Sequence, residues 1–248
     1  MRAFLLIILF VPLMGISFNG AAAEAGYRLD RSQHDPTDVI SLQNGAKLFV
    51  NYCLGCHGAQ YMRYNRLTDL GLTEDQIEDN LMFTAEKVGE TMRTTLPQKA
   101  AKAWFGVAPP DLSLIARSRG ADWLYTYMRT FYRDPKTATG WNNLVFPNVG
   151  MPHVLWQLDG VKAVEAVHTK DLAGHERVDY KWTELAPGSL QPVAYDAAVR
   201  DLVNFLVYVG EPSAVKRERI GIVVLFVLAI VFVFAWLLKR EFWKDVKK

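Results

Sequence analysis

Cys53-Leu54-Gly55-Cys56-His57 is the stretch on which the reading of this chain turns. It holds the only two cysteines in 248 residues, and a histidine follows the second directly. C-x-x-C-H is the pattern of covalent c-type haem attachment. Two thiols add across the two vinyl groups on one porphyrin edge, and two intervening residues let the backbone turn between them. The histidine is then held under the ring with its imidazole aimed at iron. A zinc site needs two further ligands, and no cysteine is left to supply them. A thioredoxin-like pair needs a βαβ context that the flanking sequence lacks. Haem stands ahead of both, and of a plain disulfide.

The two ends of the chain bear on where such a group would be attached. Arg2 gives a positive start, Phe4 to Ile16 an apolar run broken by Pro12 and Gly15, and Ala21-Ala22-Ala23 a small-residue cleavage site. These are the features of a cleaved signal peptide over residues 1–23. Export suits haem attachment, which joins reduced thiols to haem outside the cytoplasm. At the other end, Ile220 to Leu238 runs without a charge, and at 1.5 Å per residue it covers roughly 28 Å, the thickness of a hydrocarbon core. It is apolar on every side, unlike the one-sided helix of a soluble core. Trp236 and Trp243 suit the membrane interface. Residues 216–240 are therefore expected to form a transmembrane anchor and 241–248 a cytoplasmic tail. Residues 24–215 are expected to be an exported c-type haem domain. The leader sets this orientation more firmly than the flanking charges, where five cations follow the span and Lys216, Arg217 and Arg219 precede it.

The whole chain carries +2, yet residues 24–215 hold 19 Lys and Arg against 23 Asp and Glu, a net of −4. An acidic exported domain does not point to nucleic acid; it fits a basic protein partner steered by long-range charge. The body reads as mostly helical. A helix from about Ser41 to Cys53, capped by Asp38 or Ser41, carries the haem motif at its C-terminal end. Thr73-x-x-Gln76 is a capping box, and it opens a helix whose face is Ile77, Leu81, Ala85 and Val88. The polar side of that helix, Glu74, Asp75, Glu78 and Asp79, is either a solvated face or a docking surface. Ala100–Phe105 reads as helix, and Asp111–Arg117 and Ala121–Tyr132 as two helices broken at Gly120. Val164–Thr183 reads as a β-hairpin with Ala173-Gly174 at its tip, and Tyr195–Val209 as an amphipathic helix.

One axial position on iron belongs to His57, and the other decides between electron transfer and chemistry on a bound molecule. Met62 is tethered too close to His57 to reach the far face. Met82, Met92 and Met128 lie in helical or helix-flanking sequence, where methionine is most often core filler. Met151 lies in Phe146-Pro147-Asn148-Val149-Gly150-Met151-Pro152. That segment cannot be regular helix: Gly150 permits unusual backbone angles, and two prolines stiffen the loop. Met151 is the favoured ligand, with His153 as its rival. A thioether raises the reduction potential relative to imidazole. Ala108-Pro109-Pro110-Asp111-Leu112-Ser113 offers a rigid turn, followed by Arg117 and Arg119, either of which could meet a haem propionate.

Taken together, the chain closely resembles the cytochrome c1 family, the haem subunits of ubiquinol–cytochrome c oxidoreductase (the cytochrome bc1 complex), and especially its bacterial members. The segments that carry the likeness are Cys53–His57, Tyr61–Leu67, Ala108–Ser113 with Ala116–Arg119, Gly150-Met151-Pro152, and one C-terminal span after an amphipathic helix. The resemblance implies a mainly α fold: a class I cytochrome c-like haem domain with inserted loops, plus one C-terminal transmembrane helix. It implies one covalent haem c on Cys53 and Cys56, with His57 and Met151 as axial ligands. It further implies that Arg119 faces a propionate and that Pro109 and Pro110 line the pocket. Cytochrome b and the Rieske iron–sulfur protein would be its partners in a membrane complex. A cytochrome c would be its acceptor, and the haem domain would lie on the periplasmic side of the bacterial inner membrane. The implied role is a redox subunit that makes and breaks no substrate bond. Two departures stand out. Trp104-Phe105-Gly106 replaces polar residues found in mitochondrial members, and only Glu74–Asp79 stands where those carry a long acidic insert. The residues alone also allow a membrane-anchored cytochrome feeding a terminal oxidase, or a haem protein that binds small molecules at iron.

Overall fold

Asp38 opens the first helix, α1 (Val39–Leu48): its carboxylate accepts from the Ser41 backbone N–H at 3.1 Å, pairing one of the donors that a helix start leaves free. The computed structural model describes residues 27–170 and 176–246; the expected signal peptide and the hairpin tip at Ala173-Gly174 lie outside the described residues. The sequence predicts one helix as far as Cys53. Instead the chain widens after Leu48 into a π-type turn over Phe49–Cys53, burying Phe49, Val50 and Cys53. Such turns are frequent at functional sites.

Strand β1 (Ala59–Arg63) follows, then a 3₁₀ stretch (Tyr64–Leu70) and α2 (Glu74–Leu81). The capping box forms in both directions, Gln76 N–H to the Thr73 hydroxyl at 3.2 Å and Thr73 N–H to the Gln76 side chain at 3.0 Å. The expected helical face is cut short, however. Helix α2 ends at Leu81, and Ala85 and Val88 pack on the core from a loop. The backbone N–H groups of Tyr64 and Asn65 donate to the carbonyls of Glu90 and Val88 at 3.1 and 2.7 Å. Those non-local bonds outweigh the modest propensity for another helical turn. Thr91–Met92 then forms β2, antiparallel to β1.

Helix α3 spans Gln98–Phe105. The helix expected over Asp111–Arg117 shrinks to the single turn α4 (Ile115–Ser118), because the Asp111 carboxylate accepts from Ser113 N–H at 2.9 Å and holds a turn there. Gly120, at φ 90°, makes the expected break. Helix α5 (Ala121–Arg129) ends earlier than expected: the Thr130 hydroxyl bonds back to the Thr126 carbonyl at 2.9 Å. Phe131–Arg133 leaves as β3, antiparallel to β4 (Trp141–Asn143). A short α6 (Trp156–Asp159) leads into the hairpin of β5 (Gly160–Lys170) and β6 (Glu176–Pro187), longer than expected at both ends.

The amphipathic helix is α7 (Pro192–Gly210), started by a proline whose missing N–H has no helical partner to lose. It crosses α1 at Gly45, where a Cβ would lie 2.1 Å from the Asp201 carbonyl oxygen and 2.6 Å from the Phe205 Cβ. Only a hydrogen fits between these backbones. Beside the crossing, the Ser41 hydroxyl and the Asn44 amide donate to the buried Asp201 carboxylate at 2.7 and 3.1 Å. The fold is thus mainly helical. It ends in α8 (Ala214–Phe242), whose most apolar 18-residue stretch has a mean hydropathy of 3.1 and no buried residue. That helix is long and apolar enough to cross a membrane.

Candidate functional site

The C-x-x-C segment closes on itself. The backbone N–H groups of Cys56 and His57 both donate to the Cys53 carbonyl, at 3.0 and 2.8 Å. No disulfide joins the two cysteines, and both line a cavity of ≈ 300 Å³. Burial, with a smaller contribution from Cys56, pushes the Cys53 thiol up to about 12, so it remains neutral in an apolar wall.

His57 lines the same cavity and is nearly buried. Its Nδ1 donates to the Pro110 carbonyl at 2.7 Å. A carbonyl can only accept, so this contact sets the tautomer and leaves Nε2 as the nitrogen available to a metal. Burial also lowers the pKa of His57, against the opposing pull of Pro110 and Asp111; the neutral, metal-binding form is favoured. The acceptor is itself held in place. Leu112 N–H donates to the Gly58 carbonyl at 2.7 Å, the Asp111 carboxylate accepts from Gln60 N–H at 2.9 Å, and the Ser113 hydroxyl accepts from Tyr61 N–H at 3.0 Å. Pro109 and Pro110 line the cavity. Asp111 and Ser113, in the same quoted segment, tie that turn to the strand after His57, a role that sequence reasoning missed.

Met151 lines the cavity from a separate segment. Its loop is laid over two side chains of β4. The Asn143 amide oxygen accepts from Val145 and Phe146 N–H at 2.9 and 3.1 Å, while its nitrogen donates to the Tyr127 carbonyl at 2.7 Å. The Asn142 amide oxygen accepts from Asn148 N–H at 2.8 Å. Gly150 is needed for a different reason from the one expected. The left-handed residue is Asn148, at φ 62°; a Cβ on Gly150 would lie 2.9 Å from Val107 Cγ1 and 3.3 Å from the Phe105 carbonyl oxygen. Across the cavity wall, the Tyr127 hydroxyl donates to the Met151 sulfur at 3.3 Å. Burial raises the pKa of that hydroxyl well above its ordinary value, which keeps it a donor.

The rival ligand is turned away. His153 is buried outside the cavity lining, stacked on Phe131 at 4.9 Å, with Nε2 on Asp159 at 3.1 Å. Met62 and Met92 are buried in the core and do not line the cavity. Met128 does line it, so it is more than remote filler. Of the two arginines, Arg117 pairs with Glu211 at 3.5 Å. Arg119 lines the cavity, its guanidinium 5.1 Å from the Trp123 ring centroid and 5.7 Å from that of Phe146. Sequence reasoning missed Trp123, which also lines the cavity and whose indole N–H is buried with no hydrogen-bond partner among the described residues.

These features fit a haem. Two thiols lie at motif spacing, one imidazole nitrogen is left for iron, and a thioether comes from a second loop. The walls are apolar, with one guanidinium and one orphaned N–H for a group that carries carboxylates. The class of protein so defined is a c-type haem protein with a long apolar C-terminal helix.

Comparison with known proteins narrows this. A family model described as the Cytochrome C1 family matches residues 31–246, and the chain belongs to that family. Cytochrome c1 of Allochromatium vinosum is 46% identical over 91% of this chain and 92% of its own length. Cytochrome c1 of Rhodospirillum rubrum is 27% identical over 85% and 83%. A Nitrosomonas europaea protein called "Ammonia monooxygenase gamma subunit" is 48% identical over 88% and 89%. As a family member the chain carries covalently bound haem c and is the electron-transfer haem subunit of ubiquinol–cytochrome c reductase, a redox complex.

Proposed function

We propose that Cys53 and Cys56 form the two thioethers to one haem, that His57 Nε2 and the Met151 sulfur are its axial ligands, that Arg119 faces a propionate, and that Pro109 and Pro110 wall the ring. The domain is then a class I cytochrome c-like unit with inserted loops. The observation that carries this reading is the convergence of all seven residues on one apolar cavity, with His57 Nδ1 already tied to Pro110. When bound, the haem supplies a one-electron couple. The chain's own residues orient the imidazole, exclude water and supply the sulfur that favours the reduced state.

The electron arrives from a Rieske iron–sulfur protein and leaves to a cytochrome c, with cytochrome b as the third member of the membrane complex. Residues 1–23 act as a cleaved leader and 24–215 stand on the periplasmic side of the bacterial inner membrane. Residues 216–240 form a single-pass anchor, and 241–248 are cytoplasmic. The apolar α8 and the acid excess of residues 24–215 support this arrangement. Met151→Leu should open the ferrous protein to carbon monoxide, whereas Met128→Leu should leave it closed; a closed Met151→Leu variant would remove the ligand assignment. Gentle detergent extraction should recover the chain with a cytochrome b and a Rieske protein. Recovery with an ammonia monooxygenase in their place would overturn the partners.

A further inference from the structure

We propose that Tyr127 sets the electron affinity of this site by withdrawing charge from the Met151 sulfur; this rests on Met151 being the axial ligand. A thioether has two lone pairs. If one binds iron, the other remains to accept the Tyr127 hydroxyl proton, and that contact is present at 3.3 Å. A hydrogen bond to a ligand atom makes it a weaker donor to the metal. Ferric iron demands more from its ligands than ferrous iron, so the weakened sulfur favours reduction.

The hydroxyl is held in position from three directions. The Tyr127 ring is stacked on Trp123 at 4.8 Å and 11°, and meets Phe131 edge-on at 5.0 Å and 70°. Its backbone carbonyl receives the Asn143 amide at 2.7 Å, and the same amide group holds Val145 and Phe146 at the start of the Met151 loop. The segment that carries the donor and the start of the loop that carries the sulfur thus share one buried support, the Asn143 amide.

The test is a potentiometric titration of the detergent-solubilised complex carrying Tyr127→Phe, Met151→Leu, or both. Tyr127→Phe keeps the ring and removes only the donor. It should make the haem severalfold to tenfold harder to reduce, tenfold being about 59 mV for one electron. It should also shift the weak red sulfur-to-iron absorption band while leaving the ferrous form closed to carbon monoxide. In the Met151→Leu background the same substitution should produce no further shift. An unchanged potential and band in Tyr127→Phe would overturn the proposal. So would an equal shift in both backgrounds, since the hydroxyl would then act on the cavity and not through sulfur. A Met151→Leu protein with native spectrum and no carbon monoxide binding would instead overturn the ligand assignment, and the proposal with it.

Discussion

Asn143 makes no claim on function from its sequence position, yet the structure makes it the support of the Met151 loop. It is fully buried. Truncation to alanine removes the acceptor for Val145 and Phe146 N–H and the donor to the Tyr127 carbonyl. Each buried backbone group left unmet costs about 1–3 kcal/mol. Phe146 is only half-buried, so water can replace its lost partner. The Tyr127 carbonyl keeps the Thr130 N–H at 3.3 Å, so the buried Val145 N–H is the group left unmet, and the expected loss is about 1–3 kcal/mol, a sizeable part of the roughly 5–15 kcal/mol that holds a domain together. Urea unfolding followed by haem absorbance and circular dichroism measures this directly. Carbon monoxide binding should report the slackened Met151 loop in the fraction that remains folded. Asn51→Ala is the matched control: Asn51 is exposed and, among the described residues, its amide bonds to the Lys47 carbonyl alone, so a change within about 0.5 kcal/mol is expected. If Asn143→Ala lost less than about 1 kcal/mol and stayed closed to carbon monoxide, the loop would not depend on this template and the reasoning would fail.

Three further expectations can be checked with the same preparation. Gly45→Ala should destabilise the fold by about 3 kcal/mol or more, because the added carbon meets helix backbone and not a flexible side chain; equal urea midpoints for variant and parent would contradict this. Burial holds the hydroxyls of Tyr127, Tyr195 and Tyr208 above their ordinary value, so the folded chain keeps protons that the unfolded chain releases near pH 10. Stability should therefore fall as pH rises beyond about 10, with these three of the ten tyrosines ionising only as the protein unfolds; a tyrosinate absorbance step accounting for all ten at full native circular dichroism would count against it. Reduction of a basic cytochrome c should slow as salt is added, because residues 24–215 carry the acid excess and Glu74, Asp75, Glu78 and Asp79 are exposed on α2; a rate flat with ionic strength would end the steering idea.

How much of this was legible beforehand depended on whether the signal was local. The haem motif, the Thr73–Gln76 capping box, the break at Gly120 and the apolar run after Ile220 each lie within a short window. Spacing, φ freedom or hydropathy reveals them without a partner. The wide turn at Phe49–Cys53 did not announce itself: Phe49 there packs on Phe205 of α7, with ring centroids 5.6 Å apart, a contact that local spacing cannot show. Ala85 and Val88 matched helical spacing but pair with a distant strand, and periodicity is blind to that competition. The site shows the same division. Met151 stood out through its prolines and Gly150, although Gly150 proved to give space where Asn148 bends the chain. Asn142, Asn143, Asp111 and Trp123 act through hydrogen-bonding atoms that meet other segments, or find no partner at all, only after folding. Nothing in their local spacing distinguishes the two asparagines and the aspartate from surface polar residues, or Trp123 from an ordinary core aromatic.

Leu202 and Leu206 wall the cavity from α7, and only Glu211, Pro212 and Ser213 separate that helix from α8. With α8 in a bilayer, furnace and mast are built into one short run of chain. So short a connection leaves the redox group little reach away from the membrane surface. Whatever delivers or collects electrons would then have to come to it.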